Sequence, residues 1–170
     1  HIHDLGDLTL YCCGYSLKSI IRKGVQAPSN ISHASPANHF SSLLAQIANL
    51  TTNFQNEIAG AVAYSSVDTL LAPFIREDGL TYDEVKQEMQ EFIWSINSNS
   101  RMGSEPAFSN VTLDLTPPRD LVDDKVMVGG EFLDYTYGDL QEEMDMFNHA
   151  FFEVMLEGDS KGAPHSYPIN

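Results

Sequence analysis

Apolar residues recur at helical spacing along most of this chain and at strand spacing in a few short places. Leu8, Leu10 and Cys12 alternate with Thr9, Tyr11 and Cys13, the period-two pattern of a strand. Gly14 breaks that run. Ser16 then opens a short helix through Leu17, Ile20 and Ile21 that stops at Gly24. Phe40, Leu43, Leu44, Ile47, Leu50, Phe54, Ile58, Ala61 and Val62 predict one long helix over 37–65, with Ser35 as its cap and Pro36 in its first position. A second helical segment over 68–75 should end or kink at Pro73, followed by a turn over 76–79. Thr81 and Glu84 form a capping box, and the helix behind it runs to about Asn97, burying Val85, Met89, Phe92, Ile93 and Ile96.

The second half reads in the same way. A polar loop over 97–104 leads to a strand over 109–115, where Val111, Leu113 and Leu115 alternate with Asn110, Thr112 and Asp114. Pro117-Pro118 ends it. Residues 126–137 carry weaker strand character around Gly129-Gly130, as in a hairpin. Asp139 and Glu142 read as a capping pair for a helix to about Glu157, with Leu140, Met144, Phe147, Phe151, Val154 and Met155 inward. Gly158 stops it, and residues 166–170 look like the start of another strand. Strand, helix, long helices, strand, helix, strand is an α/β order, with helices crossing over a sheet.

Composition narrows the function. The chain has 170 residues, 42% hydrophobic and 19% charged, enough for one domain with its own core. A net charge of −15 with only 9 Lys plus Arg argues against nonspecific nucleic-acid binding. A phosphorylated substrate would have to be held locally, by helix N-termini or single basic residues. No apolar run reaches the length of a membrane span, and no signal peptide is visible. Cys12 and Cys13 are the only cysteines, and adjacent cysteines on a strand point to opposite faces. The expected compartment is therefore reducing and cytoplasmic. The chain does not begin with Met, and both ends read as cut edges of a longer protein.

Two constellations carry chemistry. His1-x-His3-Asp4 supplies half of a zinc or iron site, or else structural histidines; His33, His39, His149 and His165 stand in no metal-binding spacing. Cys12 is either a nucleophile, with His3 as its base, or a redox or radical thiol, or a small buried hydrophobe. Arg101-Met102-Gly103-Ser104 matches a phosphate loop only weakly.

The ordered motifs add a resemblance. His1-Ile2-His3-Asp4-Leu5-Gly6 and Tyr11-Cys12-Cys13-Gly14-Tyr15-Ser16-Leu17 resemble the opening of the catalytic barrel in anaerobic (class III) ribonucleoside-triphosphate reductases. Ser35-Pro36-Ala37-Asn38-His39-Phe40, Glu57-Ile58-Ala59-Gly60-Ala61, Asp68-Thr69-Leu70-Leu71-Ala72-Pro73-Phe74 and Phe108-Ser109-Asn110-Val111-Thr112-Leu113-Asp114-Leu115 continue it in order. Residues 117–139 are the least distinctive. Val62 departs from the glutamine, and Cys13 from the alanine, common in that family.

The resemblance implies an α/β fold, the N-terminal part of a ten-stranded barrel of the glycyl radical enzyme type, with residues 1–170 a partial catalytic barrel domain. It implies reduction of ribonucleoside triphosphates by thiyl and glycyl radical chemistry. The radical would be installed by an activating enzyme that uses S-adenosylmethionine and an iron–sulfur cluster. Formate or a thioredoxin-like protein would be the reductant, ATP and deoxynucleotides the effectors, and a homodimer the assembly. Cys12 matches the cysteine that returns a hydrogen atom to the sugar. By position alone, His3, Asp4, Ser35 and Asn110 are candidate substrate contacts. The finger-loop cysteine, the glycyl radical segment, the four-cysteine zinc site and the ATP-binding regulatory domain are expected outside these residues, and the chain alone is expected to be inactive. No metal ligand, nucleic acid or membrane is expected for this stretch. Two other readings stay open: a noncatalytic remnant serving dimerisation or nucleotide sensing, and a thiol or metal hydrolase built on Cys12 or on His1 and His3.

Overall fold

The computed structural model describes residues 11–26, 32–55, 57–58, 60–98 and 105–170. Three short strands, β1 (Cys13–Gly14), β2 (Val62–Tyr64) and β3 (Ser109–Val111), form a parallel sheet in that spatial order. The crossovers are helical. α1 (Leu17–Lys23) and α2 (Phe40–Phe54) join β1 to β2, and α3 (Val67–Asp78) and α4 (Tyr82–Asn97) join β2 to β3. An antiparallel hairpin of β4 (Lys125–Val128) and β5 (Glu131–Thr136) follows, then a 3-10 turn at Tyr137–Asp139 and α5 (Gln141–Glu157). The chain finally returns to the sheet, where Ile169 pairs in parallel with Asn110. The mixed α/β class read from the periodicity holds, but the order does not: β2 interrupts the expected run of helices, and β1 runs through Gly14, where the alternation was expected to break.

α3 is the centre of the core. Its residues from Val67 to Ile75 are all buried, as for a helix packed on every side. It touches α1, α2, α5, β4 and the 3-10 turn. Phe40 of α2 meets Phe147 of α5 edge-on at 6.3 Å, and Phe147 stacks with Phe151 at 6.5 Å. Pro73 stands inside this helix. The expected break there does not occur: the helix continues to Asp78, and Arg76, Glu77 and Asp78 form its last turn. Only Gly79, at φ +62°, leaves the helical path.

The expected helix over 37–65 is two elements. α2 ends at Phe54, and Val62–Tyr64 is the central strand. The apolar spacing continues through Ile58, Ala61 and Val62 by coincidence, because a three-residue strand buried between two neighbours shows no period of its own. Tyr64 is tied back to α2: its hydroxyl donates to Thr51 Oγ1 at 2.7 Å, while Thr51 donates to the Ile47 carbonyl. Burial pushes the Tyr64 phenol well above its ordinary pKa. The start of α2 also differs from expectation. Its N-cap is His39, and the Phe40 N–H is capped from a distance by Asp78 at 2.7 Å, whose other oxygen meets His39 Nδ1 at 2.7 Å.

Other local signals hold or shift. The Thr81–Glu84 capping box is formed as read. The Gly129-Gly130 turn has φ +62° and +84°, the mirror-image turn that matches strand twist in a hairpin. Asp139 does not cap α5 with Glu142. It closes a box with Thr136 on the 3-10 turn, and α5 begins at Gln141 without a side-chain cap. The strand expected over 109–115 stops at Val111, and Leu115 adopts φ +63°.

Asp68 causes that stop. It is completely buried in the first turn of α3. Its carboxylate accepts hydrogen bonds from the backbone N–H groups of Thr69, Asp114 and Leu115 and from Asn148 Nδ2 of α5, all at 2.8–3.1 Å. A buried charge needs such a set of donors, and the positive end of a helix dipole supports it. The N–H groups that would continue the β3 ladder are thereby spent on Asp68. Thr69 Oγ1 adds a 2.6 Å bond to Asp114.

Replacing Asp68 with Asn turns one acceptor into a donor aimed at backbone N–H groups. It should lower unfolding free energy by about 2–4 kcal/mol in urea titration; a change below about 0.5 kcal/mol would refute this role. Acid should act through the caps. Backbone and hydroxyl groups of Thr81 hold Glu84 below the usual carboxylate range, Thr136 does the same for Asp139, and the Ala163 and Lys161 N–H groups do so for Asp159. Folded values below the unfolded ones give stability that is fully present only above the unfolded values, from about pH 5, and is lost as pH falls through the folded values. The melting temperature should therefore drop below about pH 5, and a Glu84→Gln variant should show a shallower drop.

Candidate functional site

Alternation across the three strands sorts their side chains into two faces. Val62, Tyr64, Ser109 and Val111 are buried toward the helices, and Cys13 is half-buried against the same core. The register places Gly14, Ala63 and Asn110 side by side in one row on the opposite face. Ala63 and Asn110 are only half-buried there, and Gly14 is exposed. Cys12 precedes Cys13 and belongs to this open face, where it is exposed. The structure thus brings Cys12 and Asn110 onto one surface of small and polar residues.

The backbone beneath Cys12 is fixed by close packing. Cys13 N–H donates to the Ala61 carbonyl at 2.9 Å, and Val62 N–H donates to the Phe108 carbonyl at 3.0 Å. Buried Gln55 donates through Nε2 to the Phe108 carbonyl at 2.8 Å and tethers the end of α2 to the entrance of β3. Gly60 is required by proximity. A Cβ there would sit 2.2 Å from the Tyr11 carbonyl oxygen and 2.7 Å from Cys12 Sγ. The absent side chain is what lets the thiol lie against the strand beside it.

The remaining expected residues are placed elsewhere. His3 and Asp4, like His1 and Arg101 to Ser104, lie outside the described residues. Ser35 sits in the connection before α2, where its carbonyl accepts from Gln46 Nε2 at 2.8 Å and its neighbour Ala34 bridges to Val25; it is not on the sheet. His39 is engaged with Asp78. Among the described residues no group of three or more His, Cys, Asp or Glu gathers for a metal ion. No described helix is long and apolar enough to cross a membrane.

A cavity of about 350 Å³ opens at the C-terminal ends of β1 and β2, between Gly14, Ser16, Lys18, Ser65, Ser66 and Asp120. Strand C-termini are where α/β proteins place ligands. The sequence pattern hid it, because Ser65 falls at the end of the apparent helix over 37–65. The Ser65-Ser66 pair was the available signal: Ser66 takes φ +54° and donates its N–H to Thr112 Oγ1 at 3.2 Å, a turn rather than a helix. The chemistry on offer is a fixed, exposed thiol, an amide in the row beside it and a hydroxyl-lined recess at the strand ends. A thiol can give up a proton or a hydrogen atom. Cys12 has no hydrogen-bonding base among the described residues.

The family model for anaerobic ribonucleoside-triphosphate reductase matches residues 1–170. No curated protein matches the chain. Among solved structures, the chain is similar to the anaerobic ribonucleotide reductase from Thermotoga maritima in complex with dATP and CTP, at 22% identity and a TM-score of 0.66, over 86% of this chain and 25% of that one. It is similar to the Thermotoga maritima reductase with MES in the active site at 21% identity and a TM-score of 0.70, over 88% and 26%. A further anaerobic ribonucleotide reductase aligns at 23% identity and a TM-score of 0.68, over 86% and 24%. The chain spans about a quarter of the length of these structures, and at such identities the likeness establishes the shared fold.

Two labels follow for the site. Iodoacetamide should modify Cys12 before Cys13, as read by peptide mass spectrometry. Gly60→Ala should cost about 1–3 kcal/mol of stability by overpacking against Tyr11 and should change the Cys12 labelling rate. Unchanged stability and unchanged labelling would refute the close approach.

Proposed function

The chain belongs to the anaerobic ribonucleoside-triphosphate reductase family, and from that premise we propose that it is the N-terminal part of a catalytic barrel that reduces ribonucleoside triphosphates to deoxyribonucleoside triphosphates. The match over all 170 residues carries the reading. The sheet supports it. Parallel strands normally have both faces covered, and here the row of Gly14, Ala63 and Asn110 is less buried than the helix-facing row of Val62, Tyr64, Ser109 and Val111. The remaining strands of a ten-stranded barrel would enclose that face and turn it into an interior.

In this reading Cys12 is the thiol that supplies a hydrogen atom to the 2′ carbon after the 2′ hydroxyl has left as water. The weak S–H bond suits hydrogen-atom exchange, and a rigid strand aims it. Asn110 on the same face is a proposed substrate contact, His3 and Asp4 are proposed from their position in the sequence, and Ser35 is a more remote one. Cys13 serves packing. A thiyl radical from a second cysteine would remove the 3′ hydrogen. With two cysteines, both on or beside β1, the chain itself holds neither that second cysteine nor a four-cysteine zinc site. The glycyl radical, its activating enzyme, formate or a thioredoxin-like reductant, ATP and deoxynucleotide effectors, a homodimeric assembly and a cytoplasmic location complete the proposal.

The test is a Cys12→Ala substitution in the full-length enzyme, with Cys13→Ala beside it. Cys12→Ala should reduce deoxynucleotide formation by roughly a hundredfold or more, while the glycyl radical signal in electron paramagnetic resonance still forms. Cys13→Ala should retain turnover. Full turnover of Cys12→Ala would remove Cys12 from the mechanism. An enzyme that never forms deoxynucleotides, even with both cysteines intact and the radical installed, would overturn the function itself.

A further inference from the structure

The stretch least absorbed by the family motifs, residues 117–139, builds a cavity of its own. The β4–β5 hairpin folds back onto α1. Its turn is docked by Gly129 N–H donating to the Ala37 carbonyl at 3.0 Å. Gly130 lies so near that a Cβ would come within 3.2 Å of the Arg22 carbonyl and 3.3 Å of Pro36. The hairpin and α1 then wall a cavity of about 330 Å³, at the lower end of small-molecule sites (~300–1,000 Å³).

Its lining is unlike the rest of the surface. The chain has nine basic residues and a net charge of −15, yet Lys18, Arg22 and Lys125 all line this one cavity, against a single carboxylate, Asp124. Arg22 has no ion-pair partner among the described residues. Lys18 and Lys125 are held only at 3.3 and 3.2 Å, by Asp124 and by the fully exposed Asp134. Such exposed pairs contribute little and exchange readily for a better anion. The wall between the cations is apolar. Ile21 and Tyr137 are buried in it, whereas the Phe132 ring stands 66% exposed at the cavity. Cations that converge on a recess with an exposed ring fit a ligand with a phosphate at one end and a planar body at the other.

We propose that the cavity between α1 and the β4–β5 hairpin binds a phosphorylated ligand with a planar aromatic body, of the nucleoside monophosphate class. Arg22, with Lys18 and Lys125, holds the phosphate, and Phe132 carries the planar ring. The site is separate from the open sheet face that carries Cys12 and does not depend on the radical chemistry.

Isothermal titration calorimetry on the full-length protein tests it, with adenosine monophosphate, inorganic phosphate and adenosine as probes. Adenosine monophosphate should bind more tightly than either part. Arg22→Glu and Phe132→Ser, both at exposed positions, should each weaken it about tenfold or more with an unchanged melting temperature. Lys125→Glu serves as a second charge variant if Arg22→Glu alters the melt. No binding of the monophosphate at millimolar concentration, or binding that all these variants leave unchanged, overturns the proposal. Inorganic phosphate that binds as tightly as the monophosphate, with no effect of Phe132→Ser, overturns the planar-body assignment.

Discussion

One buried carboxylate holds three parts of this molecule in register. Asp68 lies in the first turn of α3, yet its acceptors serve the chain leaving β3 and the middle of α5. No ion pair with Lys or Arg neutralises it among the described residues. Its charge is carried by N–H donors alone, and each donor must be where it is for the carboxylate to stay desolvated. The short length of β3, the left-handed turn at Leu115 and the seat of α5 against α3 follow from that requirement. Asn148 shows how tight the arrangement is, since its own Oδ1 is buried without a hydrogen-bond partner among the described residues. The amide is spent on Asp68 at the expense of its other end.

The same economy appears at α2, where a helix start is capped by the end of another helix. Asp78 accepts the Phe40 N–H and also meets His39. Sequence reading looks for caps within a few residues of the helix they serve, so Ser35 with Pro36 was the natural choice and Asp78, almost forty positions away, was invisible. Local devices were legible. The Thr81–Glu84 box, the Gly129-Gly130 turn, the stop at Gly158 and the inward row of α5 all follow from short-range chemistry. β2 was not legible. Its three residues extend the apolar spacing of α2, and their strand character comes from two neighbours that are remote in sequence.

The site divides along the same line. Alternation was enough to set Cys12 and Cys13 on opposite faces, and the structure has one exposed and the other packed. The role proposed for Cys12 rests on resemblance rather than on any pattern of charge or spacing. Asn110 joins Cys12 on the open face because the strand register is fixed. Ser35 is carried off by the α1–α2 connection, and His3 and Asp4 lie outside the described residues. The recess at the strand ends went unread because Ser65 was absorbed into an apparent helix.

The register also has a consequence for how the site comes to exist. Cys13 pairs with Val62, and Val62 with Ser109, partners about 50 residues apart in each case. Closing loops of that size costs chain entropy that two- and three-residue strands cannot repay alone. The helices between them must collapse first and bring the strand segments together. The row beside the thiol is therefore built from pairings that are remote in sequence and is held by packing elsewhere. A substitution deep between α2, α3 and α5, far from any reacting atom, is felt at Cys12 as a change in how often the strand beneath it is formed.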